Sequence, residues 1–226
     1  MSAIFEAWHE FLEEGAEAGI QAADVPEQAP ASATTFADEQ LVGLVHRLFL
    51  AGWPKSMRQV VFAGAGEDAG SARICRRVAE TLAEQIPGRV CLLETDRSAE
   101  NAISDSENSS AVGASQLKKN LRLLAASAWR SIPGSLPQSW MRRRLGDLRS
   151  EFDYTVIHAP PLGVSSETET LARLTDGVVL VLEAHRTRRV LARATQQKLR
   201  AAGVQVLGAI LNGRTFPIPE RIYRRF

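Results

Sequence analysis

The sequence predicts a three-layer α/β/α domain on a mostly parallel sheet, and three observations carry that prediction. The first is Val60 to Ala83 (VVFAGAGEDAGSARICRRVAETLA), where an apolar run enters a glycine-rich turn, Gly64 to Gly70, and leaves it as a helical pattern. Strand, glycine loop and helix in that order form the frame of a phosphate-binding loop, which aims backbone N–H groups and a helix N-terminus at an anion. The second is a set of apolar runs of strand length without alternation, as expected of parallel strands covered on both faces. The third is that helical stretches separate these runs, so successive strands must be joined by crossovers. Ligands of such sheets sit at the carboxyl ends of the strands. Those ends carry the glycine loop, Glu94-Thr95-Asp96, His158 and Asn212.

The chain has 226 residues, enough for one well-buried domain with an appendage. The net charge of +1 gives no general argument for nucleic-acid binding, and none is expected. Its distribution is uneven: no Lys or Arg precedes Arg47, whereas Arg142–Arg144, Arg186–Arg189 and Arg221–Arg225 are basic clusters. Cys75 and Cys91 lie in apolar contexts without metal-site spacing and read as buried free thiols. The first residues lack a basic stretch followed by an apolar run, and no segment reaches the roughly 18 apolar residues that span a bilayer. A cytoplasmic chain is expected, with recruitment to the inner face of the membrane left to a partner.

Residues 1–36 are expected to form an acidic helix (Ile4 to Leu12, IFEAWHEFL) and an Ala/Pro/Ser linker through Thr35. The helix suits either a cap on the domain's own core or a docking element. The domain proper is expected over 37–226. Asp38 fits an N-cap for a helix through Leu50, with Leu41, Leu44, Val45, Leu48 and Phe49 on one face. After the central strand–loop–helix, Pro87-Gly88 turns the chain into the strand Arg89 to Asp96. Ser98 to Gly113 is polar and rich in small residues, hence a surface loop. Asn120 to Ala125 reads as a brief strand, Ser139 to Leu148 as a helix and Phe152 to Pro161 as a buried strand stopped by Pro160-Pro161. Ser166 to Leu174 reads as a helix and Val178 to Leu182 as a strongly β-branched strand. Thr187 to Ala202 is a basic amphipathic helix closed by Gly203, and Val204 to Leu211 is the last strand. The tail, 213–226, sets Arg between apolar residues, which suits packing on its own domain or on a neighbouring subunit.

In order and spacing these segments resemble the P-loop domain of the bacterial tyrosine kinases (BY-kinases, CpsD/CapB type) of capsule and exopolysaccharide synthesis, within the wider MinD/ParA-like group of P-loop NTPases. The most specific part is C-terminal: LRSEFDYTVIHAPPL, LTDGVVLVLEAHRTRR and LGAILN. The resemblance runs from about Leu41 to the C-terminus.

The resemblance implies roles position by position. Where the family carries G-x-x-x-x-G-K-[ST], Ala65 takes the first Gly, Ser71 the Lys and Ala72 the Mg²⁺-binding hydroxyl. Nucleotide contacts, if kept, fall on Gly64, Gly66, Gly70, Ser71, Arg73 and Asn212, the last where relatives read adenine. Arg73, or less directly Arg77, is the candidate substitute for the Lys. The family's second acidic motif falls on Glu94 and Asp96, the candidate metal ligands, and its Walker B Asp on His158. Glu94, Asp96 and His158 are also the candidate catalytic groups. Tyr223 is the one Tyr near the end where the family has a tyrosine-rich tail, and so the candidate phosphoacceptor. Without the Lys, the hydroxyl and the acid, phosphoryl transfer loses most of its electrostatic support. The expected function is therefore a degenerate, regulatory or scaffolding relative of these kinases. It would dock on a membrane polysaccharide co-polymerase (chain-length regulator) or a kinase paralogue, or on a copy of itself. An active ATP-dependent tyrosine autokinase that uses ATP and Mg²⁺ is the alternative, and a MinD/ParA-like positioning protein a further one. The bland readings stand beside these: a tight turn without ligand at Gly64–Gly70, strand-end acids satisfied by local amides, and a polar His158 that replaced an unneeded metal acid.

Overall fold

The computed structural model describes residues 31–51, 57–66, 70–96, 114–130 and 136–213. Helix α1 (Ala31–Val45) runs into a π-helical turn (His46–Leu50) and is followed by β1 (Gln59–Gly64), α2 (Ser71–Gln85) and β2 (Val90–Glu94). Then come β3 (Ala114–Lys118), β4 (Leu121–Leu124), the short α3 (Ala126–Trp129), α4 (Gln138–Glu151) and β5 (Tyr154–Ala159). Helix α5 (Ser166–Leu174), β6 (Gly177–Glu183), α6 (Arg189–Ala201) and β7 (Val206–Asn212) complete the described chain.

The seven strands order as β3-β4-β2-β5-β1-β6-β7, and every neighbouring pair is parallel except β3 with β4. The three-layer, mostly parallel architecture is thus present. Its central strands are buried along their length, as their unbroken apolar character requires. Side chains alternate between the faces with period 2. Val61, Ala63, Cys91, Leu93, Ile157 and Leu180 meet Met141, Leu145 and Leu148 of α4, Leu171 of α5 and Leu199 of α6. On the other face Val60, Phe62, Leu92, Val156 and Val179 meet Val45 and Phe49 from the α1 segment and Cys75, Val78 and Leu82 of α2. The same alternation, carried to the strand ends, puts Glu94 and His158 on the α2 face, continuing Leu92 and Val156.

Four local expectations change. The segment 31–35, expected as linker, is the start of α1; its Ala-Ser-Ala-Thr-Thr run contains neither Gly nor Pro to stop a helix. Asp38 consequently lies inside α1 and forms an ion pair with Arg77 of α2 instead of capping. Strand β3, which starts directly after the expected loop 98–113, has no counterpart among the expected elements; it is antiparallel to β4, and its sequence, ASQLK, has weak strand propensity and is held by that pairing. Helix α3 has no counterpart among the expected elements. Helix α6 ends at Ala201 with Ala202 as its cap, and Gly203 follows with a φ of +72° that suits the residue. The expected helix at Ile4–Leu12, the loop 98–113 and the tail beyond Gly213 lie outside the described residues.

Candidate functional site

The carboxyl edge of the sheet gathers the ends of β1, β2, β5 and β7 with the N-terminus of α2. Register explains the gathering: Glu94 of β2 stands opposite His158 of β5, and His158 stands beside Phe62 of β1, two residues before the loop begins at Gly64. The loop is anchored by Ala65 N–H donating to Val181 O (3.0 Å) and Leu162 N–H donating to Gly64 O (2.9 Å). A Cβ on Gly66 would lie in van der Waals contact with Leu191 on α6. Residues 67–69 are outside the described set. Gly70 ends the loop in the left-handed region (φ +67°), and a Cβ there would collide with the Asn212 side-chain amide. Asn212, the candidate adenine reader, therefore lies directly on the loop's last glycine.

Ser71 opens α2. Its Oγ lies 2.9 Å from His158 Nε2, while His158 Nδ1 lies 2.7 Å from Glu94 Oε1 and 2.8 Å from Oε2. The Asp96 N–H donates to the same Oε1 at 2.7 Å. The His158 backbone is fixed as well, its carbonyl accepting from Thr95 N–H (3.0 Å) and Thr95 Oγ1–H (2.9 Å). With Glu94 ionised, the carboxylate can only accept, so Nδ1 carries the imidazole proton and Nε2 accepts from the Ser71 hydroxyl. Exposure rises along the relay, from 1% at Glu94 to 2% at His158 and 8% at Ser71. Burial pushes the Glu94 carboxyl up from its ordinary range, and the Asp96 charge adds to that. The hydrogen bond and charge of His158 and the Asp96 amide oppose the shift without cancelling it. Burial likewise pushes the Cys75 thiol up, with Glu94 adding to it, so this thiol is an inert core group.

The structure thus brings Ser71, Glu94 and His158 together, with Asp96 half-buried beside them and Gly64, Gly66, Gly70 and Asn212 around the loop. Arg73 is solvent-exposed on the first turn of α2. Arg77, a turn further along, is paired with Asp38 of α1 and serves that helix contact instead of the loop. Tyr223 lies outside the described residues.

Set against the positions that the resemblance assigns, this arrangement differs in chemistry from one that holds a magnesium-bound triphosphate. At the position that the resemblance assigns to the phosphate-neutralising ammonium stands a hydroxyl bonded to an imidazole, and at that of the metal-binding hydroxyl stands the methyl of Ala72. Mg²⁺ prefers hard anionic oxygen, whereas the position that the resemblance assigns to the Walker B acid offers imidazole, and both Glu94 oxygens lie within hydrogen-bond distance of it. Among the described residues no group of three His, Cys, Asp or Glu is placed to hold a metal ion, and no helix is long and apolar enough to cross a membrane. Sequence reasoning names all three relay residues, Glu94 and His158 as candidate catalytic groups and Ser71 as a nucleotide contact, but does not join them; the signal it lacks is the β2–β5 register.

No family model matches the chain. The tyrosine-protein kinase CpsD of Streptococcus agalactiae is 30% identical over 77 residues, 34% of each chain. The chain therefore spans about a third of the length of the curated relatives it first matches. Among solved structures, the chimerical protein CapA2B2 superposes with a TM-score of 0.66 at 16% identity, covering 79% of this chain and 85% of that one. The kinase domain of the Escherichia coli tyrosine kinase ETK does so with a TM-score of 0.60 at 18% identity, covering 92% and 89%. The chain is thus similar in sequence, over about a third of its length, to a bacterial tyrosine kinase and shares over most of its length the fold of the solved kinase domains.

Proposed function

We propose that the chain is a degenerate relative of the polysaccharide tyrosine autokinases that has exchanged phosphoryl transfer for a regulatory or scaffolding role in capsule or exopolysaccharide synthesis and export. One observation carries the reading. The positions of the Walker A Lys and the Walker B Asp are filled by Ser71 and His158, which hydrogen-bond each other at 2.9 Å, and Glu94 closes the chain. Groups that serve a nucleotide and its metal in a working enzyme here satisfy one another. The fold persists because its core does not depend on the phosphate. What remains is a rigid α/β body able to dock, at the inner face of the membrane, on a polysaccharide co-polymerase or an active kinase paralogue.

The test is a thermal shift of the purified chain with ATP, with and without Mg²⁺, beside the triple variant S71K/A72T/H158D. The wild-type chain is expected to show no Mg²⁺-dependent shift, and the variant to gain one. A Mg²⁺-dependent shift in the wild-type chain, or phosphate incorporated at Tyr223 by the chain alone, would favour the autokinase instead. Co-purification from the native cell then identifies the docking partner.

A further inference from the structure

We infer that Ser71, His158 and Glu94 form a nucleophile–base–acid triad that makes the Ser71 hydroxyl an acceptor of acyl groups from small activated esters. This goes beyond the scaffolding reading and does not require it.

Three features point the same way. The contacts run in the order such chemistry needs: hydroxyl to Nε2 at 2.9 Å, Nδ1 to carboxylate at 2.7 Å. All three residues are buried, with residue exposure falling from 8% at Ser71 to 1% at Glu94, so the orienting acid is sealed from water. Each group sits on a separate rigid element, Ser71 on α2, His158 on β5 and Glu94 on β2, so the geometry does not rely on a loop. The surroundings supply a complement. Ser71 is the first residue of a 15-residue helix whose N-cap, Gly70, makes no side-chain cap. N–H groups in the first turn of a helix lack intrahelical acceptors and can stabilise negative charge developing on an attacked carbonyl oxygen.

The step balances without a further reactant. The Ser71 hydroxyl proton passes to His158 Nε2 as Oγ bonds to the ester's carbonyl carbon. The tetrahedral adduct then collapses, breaking the bond to the leaving alcohol or phenol, which takes the proton from Nε2. A water deprotonated by Nε2 returns the acyl-serine to the free hydroxyl and releases the carboxylic acid. Ser71 and His158 are the catalytic residues; Glu94 is a positioning residue that holds the imidazole tautomer.

The experiment treats the full chain with a fluorophosphonate probe and, separately, with p-nitrophenyl acetate, and locates adducts by peptide mass spectrometry. Labelling at Ser71 is expected, absent in Ser71→Ala and slowed about 10²–10⁴-fold in His158→Gln. In Glu94→Gln the pH profile of labelling should move, with recovery in Glu94→Asp. Should His158→Gln not fold, Ser71→Cys reports the same environment: its thiol should react with iodoacetamide faster than that of a surface cysteine, with the rate levelling at lower pH. No Ser71 adduct on the folded chain, an adduct indifferent to His158, or ordinary thiol reactivity in the Ser71→Cys variant would overturn the inference. None of these outcomes depends on whether ATP shifts the melting temperature, so this proposal and the scaffolding one fail separately.

Discussion

At the scale of single residues, Glu94 turns a buried relay into a measurable pH dependence. The groups facing its carboxyl are His158, the Asp96 amide and carboxylate, and Cys75. Its folded pKa is raised, so between the ordinary and the raised value the native state holds a proton that the unfolded chain releases. Glu94's contribution to stability is fully present below its ordinary pKa of 4.5 and is lost as pH rises through the raised value. Melting curves of the wild-type chain and Glu94→Gln should show the wild type losing ground to the variant as pH climbs out of that window. A constant gap between them from about pH 4 to 8 would contradict the assignment. Gly70 gives a second residue-scale prediction. Gly70→Ala meets both a left-handed backbone and the Asn212 amide, so it should cost about 1–3 kcal/mol, with Asn212→Ala recovering only the part due to collision. Denaturation of the two single variants and the double variant measures that share. Residue types at this site are legible in the sequence because glycines, acids and a histidine stand out at the ends of apolar runs. Their mutual contacts are not, because Glu94 and His158 are 64 positions apart and one residue of register decides whether they face each other.

At the scale of elements, the opposite edge of the sheet is held by a different carboxylate. Asp176 sits just before β6 and accepts from the N–H groups of Arg58 (2.7 Å) and Gln59 (2.8 Å) at the start of β1, and from Arg149 of α4 (2.8 Å). Burial alone would push its carboxyl up; the Gln59 amide, the Arg149 side chain and the Arg58 amide outweigh it and hold the carboxyl below the usual range. Its stabilisation is therefore present above the ordinary carboxylate pKa of 3.8 and lost as pH falls through the depressed value. Asp176→Asn should destabilise the chain by about 1–2 kcal/mol at neutral pH, and the difference should vanish in strong acid. Equilibrium unfolding at both ends of that range checks it. In the sequence Asp176 stands unremarked between the helix Ser166 to Leu174 and the strand Val178 to Leu182, because partners 27 and 118 positions earlier in the chain leave no local trace. The long parallel strands are legible for the converse reason: burial on both faces writes itself into consecutive apolar residues. The antiparallel β3, at the edge of the sheet, carries no such signature.

At the scale of the whole molecule, the sheet divides the interior into two apolar clusters, and the α1 segment belongs to one of them. Phe49 is fully buried against that face and packs edge-on to Tyr154 of β5, with ring centroids 5.8 Å apart. The helix that composition joined to a linker is thus structural for the domain, sharing its cluster with α2 and with the strand that carries His158. Phe49→Ala should cost about 3–5 kcal/mol. Because Phe49 touches the same layer that fixes Ser71 and His158, the loss should be felt across the chain and not as separate melting of α1. Denaturant unfolding followed by Trp fluorescence and by far-UV circular dichroism should give one coincident transition with an unchanged slope and a lower midpoint. An early circular-dichroism transition that leaves the fluorescence unmoved would mean that α1 is an independent appendage. The relay would then rest on the sheet and α2 alone.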